Sequence, residues 1–275
     1  AKSAFLATMS HEIRTPLANM AGLTDVLLES GLGQEQHSHA ELLKDTASHL
    51  LTLLADILDF SKIEAGKMAL RPAPFSLNAL VDMLDGSFQP EAGRKGLKLD
   101  MEVASDLPDA FKGDVSRIRQ VLFNLLSNAV KYTNHGEVGL RVSRDDLPEE
   151  GQDQRVMLRF AVSDTGLGIE PEDQEHMFEE YRRGEAAQDA GYKGIGLGLA
   201  ISHRLAGLMG GSLSLESSPG QGSVFTFRVP LEMADESEGA DSQKQGSKPE
   251  CWKPLKVLVA DDNRVNRLLA RRILE

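Results

Sequence analysis

The sequence predicts an α+β protein in two parts: a helical hairpin, then an α/β sandwich of one sheet and one helical layer. Three observations carry this reading. Residues 1–70 show only the helical period, residues 74–231 mix helical and alternating segments, and several of the latter are joined by Gly-rich turns. At 275 residues, 41% hydrophobic and 26% charged, the chain has material for two cores and is too apolar for wholesale disorder.

In order along the chain, Phe5, Leu6, Met9, Ile13, Leu17, Met20, Leu23 and Leu27 fall on one stripe of a helix over 1–31. Gly31-Leu32-Gly33-Gln34 interrupts it. A second helix over 36–66 carries Leu43, Leu50, Leu54, Ile57, Leu58 and Ile63 on its predicted buried side. Two helices joined by a short turn form an antiparallel hairpin, and one hairpin cannot bury both of its stripes. Two hairpins can, as a four-helix bundle, so burial alone predicts a homodimer through residues 1–70.

Arg71-Pro72-Ala73-Pro74 cannot continue a helix and marks the domain boundary. Beyond it, Phe75–Gln89 reads as a helix, Leu97–Val103 as a strand and Asp114–Tyr132 as a strongly amphipathic helix. Val138–Ser143 and Val156–Asp164 read as strands and Leu199–Met209 as a helix. Ser212–Ser217 and Ser223–Leu231 pair around the turn Pro219-Gly220-Gln221-Gly222. Residues 232–254 are acidic, polar and aperiodic, the composition of a flexible linker. Leu255–Ala260 then reads as a buried-type strand leading into a partial helix. With no sheet to cover, segment 255–275 is expected to be disordered unless it docks elsewhere. The chain starts and stops within helical patterns, as a fragment of a longer protein would.

Bulk properties narrow the function. The net charge of −12 argues against a nucleic-acid binder, which must neutralise phosphates with clustered Lys and Arg. The single cysteine, Cys251, excludes an internal disulfide and a cysteine-built zinc site. No apolar run approaches a bilayer span and no segment resembles a signal peptide, so membrane contact is not expected within these residues.

Four constellations carry chemistry. His11 lies about 180° from the centre of the first helical stripe, which aims it at solvent from a rigid rod. A lone exposed histidine is ordinarily surface decoration. Here Glu12 adjoins it, and Pro16 cannot donate to the Glu12 carbonyl, so the helix should loosen beside it. Asn124, Asn128 and Lys131 share one face of the Asp114–Tyr132 helix, opposite Ile118, Val121, Leu122, Leu125 and Leu126. An ordinary solvated face carries more charge than amide; two amides and a lysine suit a phosphate chain with a divalent cation. Asp164-Thr165-Gly166-Leu167-Gly168 follows an apolar strand, where a carboxylate can accept from an exocyclic amine and glycines admit a ring. Gly194-Ile195-Gly196-Leu197-Gly198 opens a helix, where bare amides and the helix dipole favour anions. Each glycine run alone is weak. Neither matches the dinucleotide fingerprint, and no Gly-Lys-Ser/Thr phosphate loop occurs.

Taken in order, these strings resemble one family. HEIRTP at 11–16 is similar to the phosphoacceptor box of sensor histidine kinases, and RIRQVLFNLLSNAVKYT at 117–133 to their asparagine box. DTGLGI at 164–169 and GIGLGLAIS at 194–202 are similar to their two glycine boxes. LKVLVADDNRVNR at 255–267 resembles the start of a receiver domain, where the pair Asp261 and Asp262 would hold magnesium.

The resemblance implies an ATP-binding domain of the histidine kinase/gyrase type and the cofactors ATP and Mg2+. It makes His11 the phosphorylated nucleophile, Glu12 its base or orienting partner and Thr15 a residue of phosphatase turnover. Asn128 would ligate magnesium, with Asn124, Lys131 and Tyr132 beside the phosphates. Asp164 would read adenine, while Gly166, Gly168, Gly194, Gly196, Leu197 and Gly198 shape the pocket and a lid over roughly 170–193. The family's phenylalanine box has two Phe residues and a following Arg. Phe178 matches, Tyr181 takes the second place, and either Arg182 or Arg183 would reach the γ-phosphate. The implied protein is the cytoplasmic portion of a membrane-anchored hybrid kinase at the inner membrane. It would pass its phosphoryl group to a receiver aspartate in cis or to a response regulator in trans. Two other classes compete: a nucleotide-binding scaffold without catalysis, and a different ATPase of the same superfamily, such as gyrase or the MutL proteins. Intact His11, Asn128 and Asp164 argue against the first, and the hairpin with its exposed histidine against the second.

Overall fold

Helix α1 (Lys2–Leu28) runs unbroken through Pro16, and α2 (Gln34–Glu64) follows after a turn in which Gly31 adopts a positive φ of 72°. At the start of α2 the Gln36 side chain accepts from the Gly33 amide at 3.2 Å, satisfying a donor that the first turn leaves free. The helices lie against each other, with Thr24, Ala40, Ala47, Leu58 and Ser61 buried. Lys44 and Asp25 bridge them at 2.6 Å, and that carboxylate holds the lysine above its usual pKa.

The burial expected of α2 needs correction. Of its six predicted core positions only Leu58 is buried within one chain; Leu54 and Ile63 are half-buried, while Leu43, Leu50 and Ile57 are exposed. Ile13, Met20 and Leu27 of α1 are exposed as well. The buried positions of the hairpin are mostly small residues, with Leu58 the one buried leucine among the described residues.

The computed structural model describes residues 2–28, 30–145, 155–180, 182, 196–234, 258–260, 267, 270 and 271; the side chains of 2–12 and 14 lie outside that description. The chain divides into two compact units, Ala1–Met68 with Lys248–Glu275, and Ala69–Ser247.

The second unit is built on a seven-stranded mixed sheet. Its strands are β1 (Ala73–Ser76), β2 (Lys98–Val103), β3 (Ala110–Gly113), β4 (Glu137–Asp145), β5 (Arg155–Asp164), β6 (Ser212–Ser218) and β7 (Gly222–Met233). The order is β1-β3-β7-β5-β4-β2, with β6 also paired to β7. Helices α3 (Leu77–Lys95), α4 (Val115–Tyr132) and α6 (Gly198–Leu208) pack against it, and a single turn, α5 (Pro171–Gln174), follows β5. Alternation along β4 and β5 sends Val138, Leu140, Val142, Val156, Leu158, Phe160 and Val162 into the core. There they meet Ile118, Val121, Leu122, Leu125 and Leu126 of α4.

Four expectations change here. Phe75 is not helical but pairs with Phe111 in a β1–β3 ladder, and α3 begins at Leu77 because Ser76 caps it, accepting from the Ala79 amide. β3 carries no sequence signal of its own: four residues cannot show a period, and pairing with β1 and β7 creates the strand. The sheet is less hairpin-built than expected, since β2 and β4 run parallel. At the other end β7 reaches Met233, past the predicted linker start, and Leu258–Ala260 form no strand. Residues 235–257, which hold most of the predicted linker and the start of the final segment, lie outside the described residues.

Candidate functional site

Helix α4 is the central piece. Asp114 caps it, one carboxylate oxygen accepting from the Arg117 amide at 3.2 Å while the other accepts from the Arg71 amide at 2.8 Å. At the far end the Lys95 ammonium donates to the carbonyls of Val130 at 2.7 Å and Lys131 at 3.0 Å, where the helix dipole is negative. Lys95 was not legible as a site residue; its only sequence mark is a basic residue before the helix-ending Gly96. Thr133 is buried and donates back to the Ala129 carbonyl at 2.7 Å. With its apolar face buried, α4 leaves Asn124, Asn128, Lys131 and Tyr132 half-buried. The Lys131 ammonium lies 5.0 Å from the centre of the Tyr132 ring.

Both glycine turns touch this helix. Gly166 lies against its C-terminal end, where a Cβ would meet the Tyr132 carbonyl oxygen at 2.5 Å. Gly168 has φ +68°, and a side chain there would overlap the Ser218 carbonyl, so position and conformation both demand glycine. Gly198, at the start of α6, packs so closely on Asn124 that a Cβ would overlap its side-chain oxygen. Leu197, buried, sits at the N-cap, and Gly196 has φ +77°. The Asn124 amide donates to the Ser202 hydroxyl at 3.0 Å, a contact across 78 residues that no local pattern announces.

Asp164 ends β5. One of its oxygens accepts from the Gly166 amide at 2.8 Å, and burial pushes its carboxyl above the usual range against the lowering effect of the Gly166 and Ser223 amides. A carboxylate held partly dry and open to a neighbouring donor suits a ring amine. Next to it Thr165 accepts from the Glu137 amide at 3.0 Å, and Gln174 ties α5 to the Ile169 and Ser217 carbonyls at 2.7 and 3.1 Å. Arg182 pairs with Glu179 at 3.3 Å, and Glu179 also meets His176 at 2.8 Å, which lowers the pKa of its carboxyl. Arg183, Gly194 and Tyr181 lie outside the described residues.

The backbone of His11 and Glu12 is helical in α1, while their side chains fall outside the description; Thr15 and Pro16 are exposed. The predicted site residues thus fall in both units, His11, Glu12 and Thr15 in one and the remainder in the other.

Comparison with known proteins decides the family. Residues 1–66 match the family model for the His Kinase A (phospho-acceptor) domain, and residues 113–233 match that for the histidine kinase-, DNA gyrase B- and HSP90-like ATPases. The chain carries a histidine-kinase catalytic core. Over its full length this core is 36% identical to the sensory/regulatory protein RpfC of Xanthomonas campestris pv. campestris, of which it spans 41%. Over 84% of its length it is 38% identical to the signal transduction histidine-protein kinase BarA of Escherichia coli, spanning 25% of that protein. The kinase core therefore spans less than half the length of these relatives. Among solved structures, full-length ShkA in complex with AMPPNP matches 84% of the chain with a TM-score of 0.66 at 36% identity, the match covering 46% of ShkA. The two matched regions are thus a phospho-acceptor domain and an ATPase domain of the histidine kinase type. No described helix is long and apolar enough to cross a membrane.

Proposed function

We propose that this kinase core autophosphorylates on His11 and passes the phosphoryl group to an aspartate of a receiver domain, in cis or in trans. One observation supports the nucleotide half of this reading: α4, which carries Asn128 and Lys131, touches both the glycine turn that follows Asp164 and the start of α6, although these lie far apart in sequence. Asp164, whose remaining lone pairs seek a donor, accepts from the adenine amine. Lys131 supplies positive charge and the Gly198 end of α6 supplies amides for the phosphate chain. Asn128 offers a hard oxygen that would hold a magnesium ion beside the phosphates. Bound there, the ion would neutralise charge on the transferred group.

Phosphoryl transfer then needs placement and charge neutralisation more than covalent help. A neutral imidazole nitrogen of His11 attacks the γ-phosphorus, the bond to the β-phosphate oxygen breaks, ADP leaves, and Glu12 receives the imidazole proton. Thr15, one turn further along α1, serves phosphatase turnover, in which water takes the phosphoryl group from the receiver aspartate.

The core acts as a homodimer in this reading. Ile13, Met20 and Leu27 repeat every seven residues on α1, as do Leu43, Leu50 and Ile57 on α2, and all six are exposed in one chain. Apolar rows at heptad spacing are what a second hairpin covers. Incubation with γ-labelled ATP should label the chain in an acid-labile form, and His11→Gln should abolish the label while nucleotide binding persists. Undiminished label in His11→Gln would refute the assignment.

A further inference from the structure

Three consecutive residues of α6 face three different neighbours. Ser202, buried, accepts from Asn124 of α4. His203 stacks on Phe178 with ring centres 5.0 Å apart and planes at 24°. Arg204 forms an ion pair with Glu180. Steps of about 100° per residue explain this: one short stretch of helix presents successive side chains to a helix on one side and a turn on the other.

The position of these contacts gives them meaning. The segment Ile169–Glu180 joins the first glycine turn to the residues that precede the second. Gln174 fastens its first half to the Ile169 and Ser217 carbonyls. Phe178 and Glu180 fasten its second half to α6, five and six residues beyond the glycine at which that helix starts. Asn124 fastens the same helix to α4, between Gly198 and Ser202. Thus α6 is held from two sides, and each hold fixes where its amide-bearing first turn points.

We infer that Ser202 and Arg204 are positioning residues for nucleotide binding: they hang α6 between α4 and the 178–180 turn, so that the helix start and the polar face of α4 address the same phosphate chain. Neither side chain need touch the nucleotide. The inference rests on the nucleotide-binding reading given under Proposed function. The Arg204–Glu180 pair is about one-third exposed on both sides, so its contribution to global stability is small and its effect is local. Losing it frees the turn and α6 to separate, which weakens nucleotide binding without unfolding the sheet.

Charge reversal tests this. Arg204→Glu and Glu180→Arg should each raise KM for ATP about fivefold, with kcat changed less than about twofold and an unaltered melting temperature. The double reversal should restore KM to within about twofold of the parent, because the pair is re-formed with opposite polarity. Ser202→Ala should raise KM similarly, and Ser202→Thr, which keeps the hydroxyl, should recover it. Single reversals with parental KM, or a double reversal no better than the singles, would overturn the inference. So would variants that lose melting temperature and kcat together, which is the mark of a merely structural contact. Asp164→Asn serves as the control for the pocket itself. If that variant weakens ATP binding while Arg204→Glu does not, the positioning role alone falls; if Asp164→Asn binds ATP as the parent does, the pocket falls.

Discussion

Asp164 is the residue whose chemistry depends most on its surroundings. Its sequence neighbours make it a strand-end carboxylate in a glycine turn; the fold then buries it enough to raise its pKa, with burial outweighing two amide donors. A sign follows. The ionised carboxylate is the stronger acceptor, so nucleotide affinity should fall as pH drops through the raised Asp164 value, and hold steady above it. Asp164→Asn should flatten that dependence and weaken binding at neutral pH by about tenfold, since an ambivalent amide replaces a charged acceptor. Titration of nucleotide binding between pH 4 and 8 checks both statements; a parental slope in the Asn variant would contradict them.

At the scale of elements, α4 shows how a helix is made into a platform. Its period predicts it from sequence alone, and Asp114 satisfies the rule that a short acceptor precedes the first turn. What the period does not show is the second duty of the same carboxylate, which holds the Arg71 amide where the chain enters this unit. Asp114→Ala therefore removes two bonds at once, one from the exposed Arg71 and one from the half-buried Arg117, whose amide keeps the Asp114 carbonyl, at a local cost of about 1 kcal/mol. The amides of Arg117 and Ile118 should exchange at least about tenfold faster in that variant, while Leu125 and Leu126 in the middle of the helix change little. Uniform acceleration along α4, or none, would refute the local account. Asp114→Asn, which keeps one acceptor, should lie between the two.

For the molecule as a whole, the exposed heptad rows of α1 and α2 leave the hairpin with unburied apolar surface, and the proposed second copy would match it in length and period. Leu50→Glu tests this cleanly because Leu50 is already 43% exposed within one chain, so the hairpin itself tolerates a charge there. Placed in a bundle core, the same unpaired carboxylate costs several kcal/mol. The dimer dissociation constant should rise by about a hundredfold or more with the helical content of the monomer retained, as sedimentation and circular dichroism would show. A folded dimer of parental affinity would refute the bundle through this row.

The expectation that Leu43, Leu50 and Ile57 were core residues and their exposure in a single chain are therefore two views of one stripe. Periodicity reports that a face will be buried, never by whom. The same limit separates what could be read from what could not. Long, strongly periodic elements were legible, because their signal repeats within one or two turns: both hairpin helices, α4, β4, β5 and the β6–β7 pair. The roles proposed for Asn128, Lys131, Asp164 and the glycine turns likewise rest on chemistry that neighbouring residues state. The two four-residue strands β1 and β3 were not legible, since pairing rather than period makes them strands. Nor were the bonds that set the pocket: Lys95 to the end of α4 across 35 residues, Asn124 to Ser202 across 78, and Glu180 to Arg204 across 24. Sequence by itself determined which side chains carry the chemistry proposed for nucleotide binding and phosphoryl acceptance, because such capacities belong to side chains and local backbone. Only the tertiary structure decided which of them meet, because the mixed sheet order brings distant segments to one helix, and no local window contains both partners of such a contact.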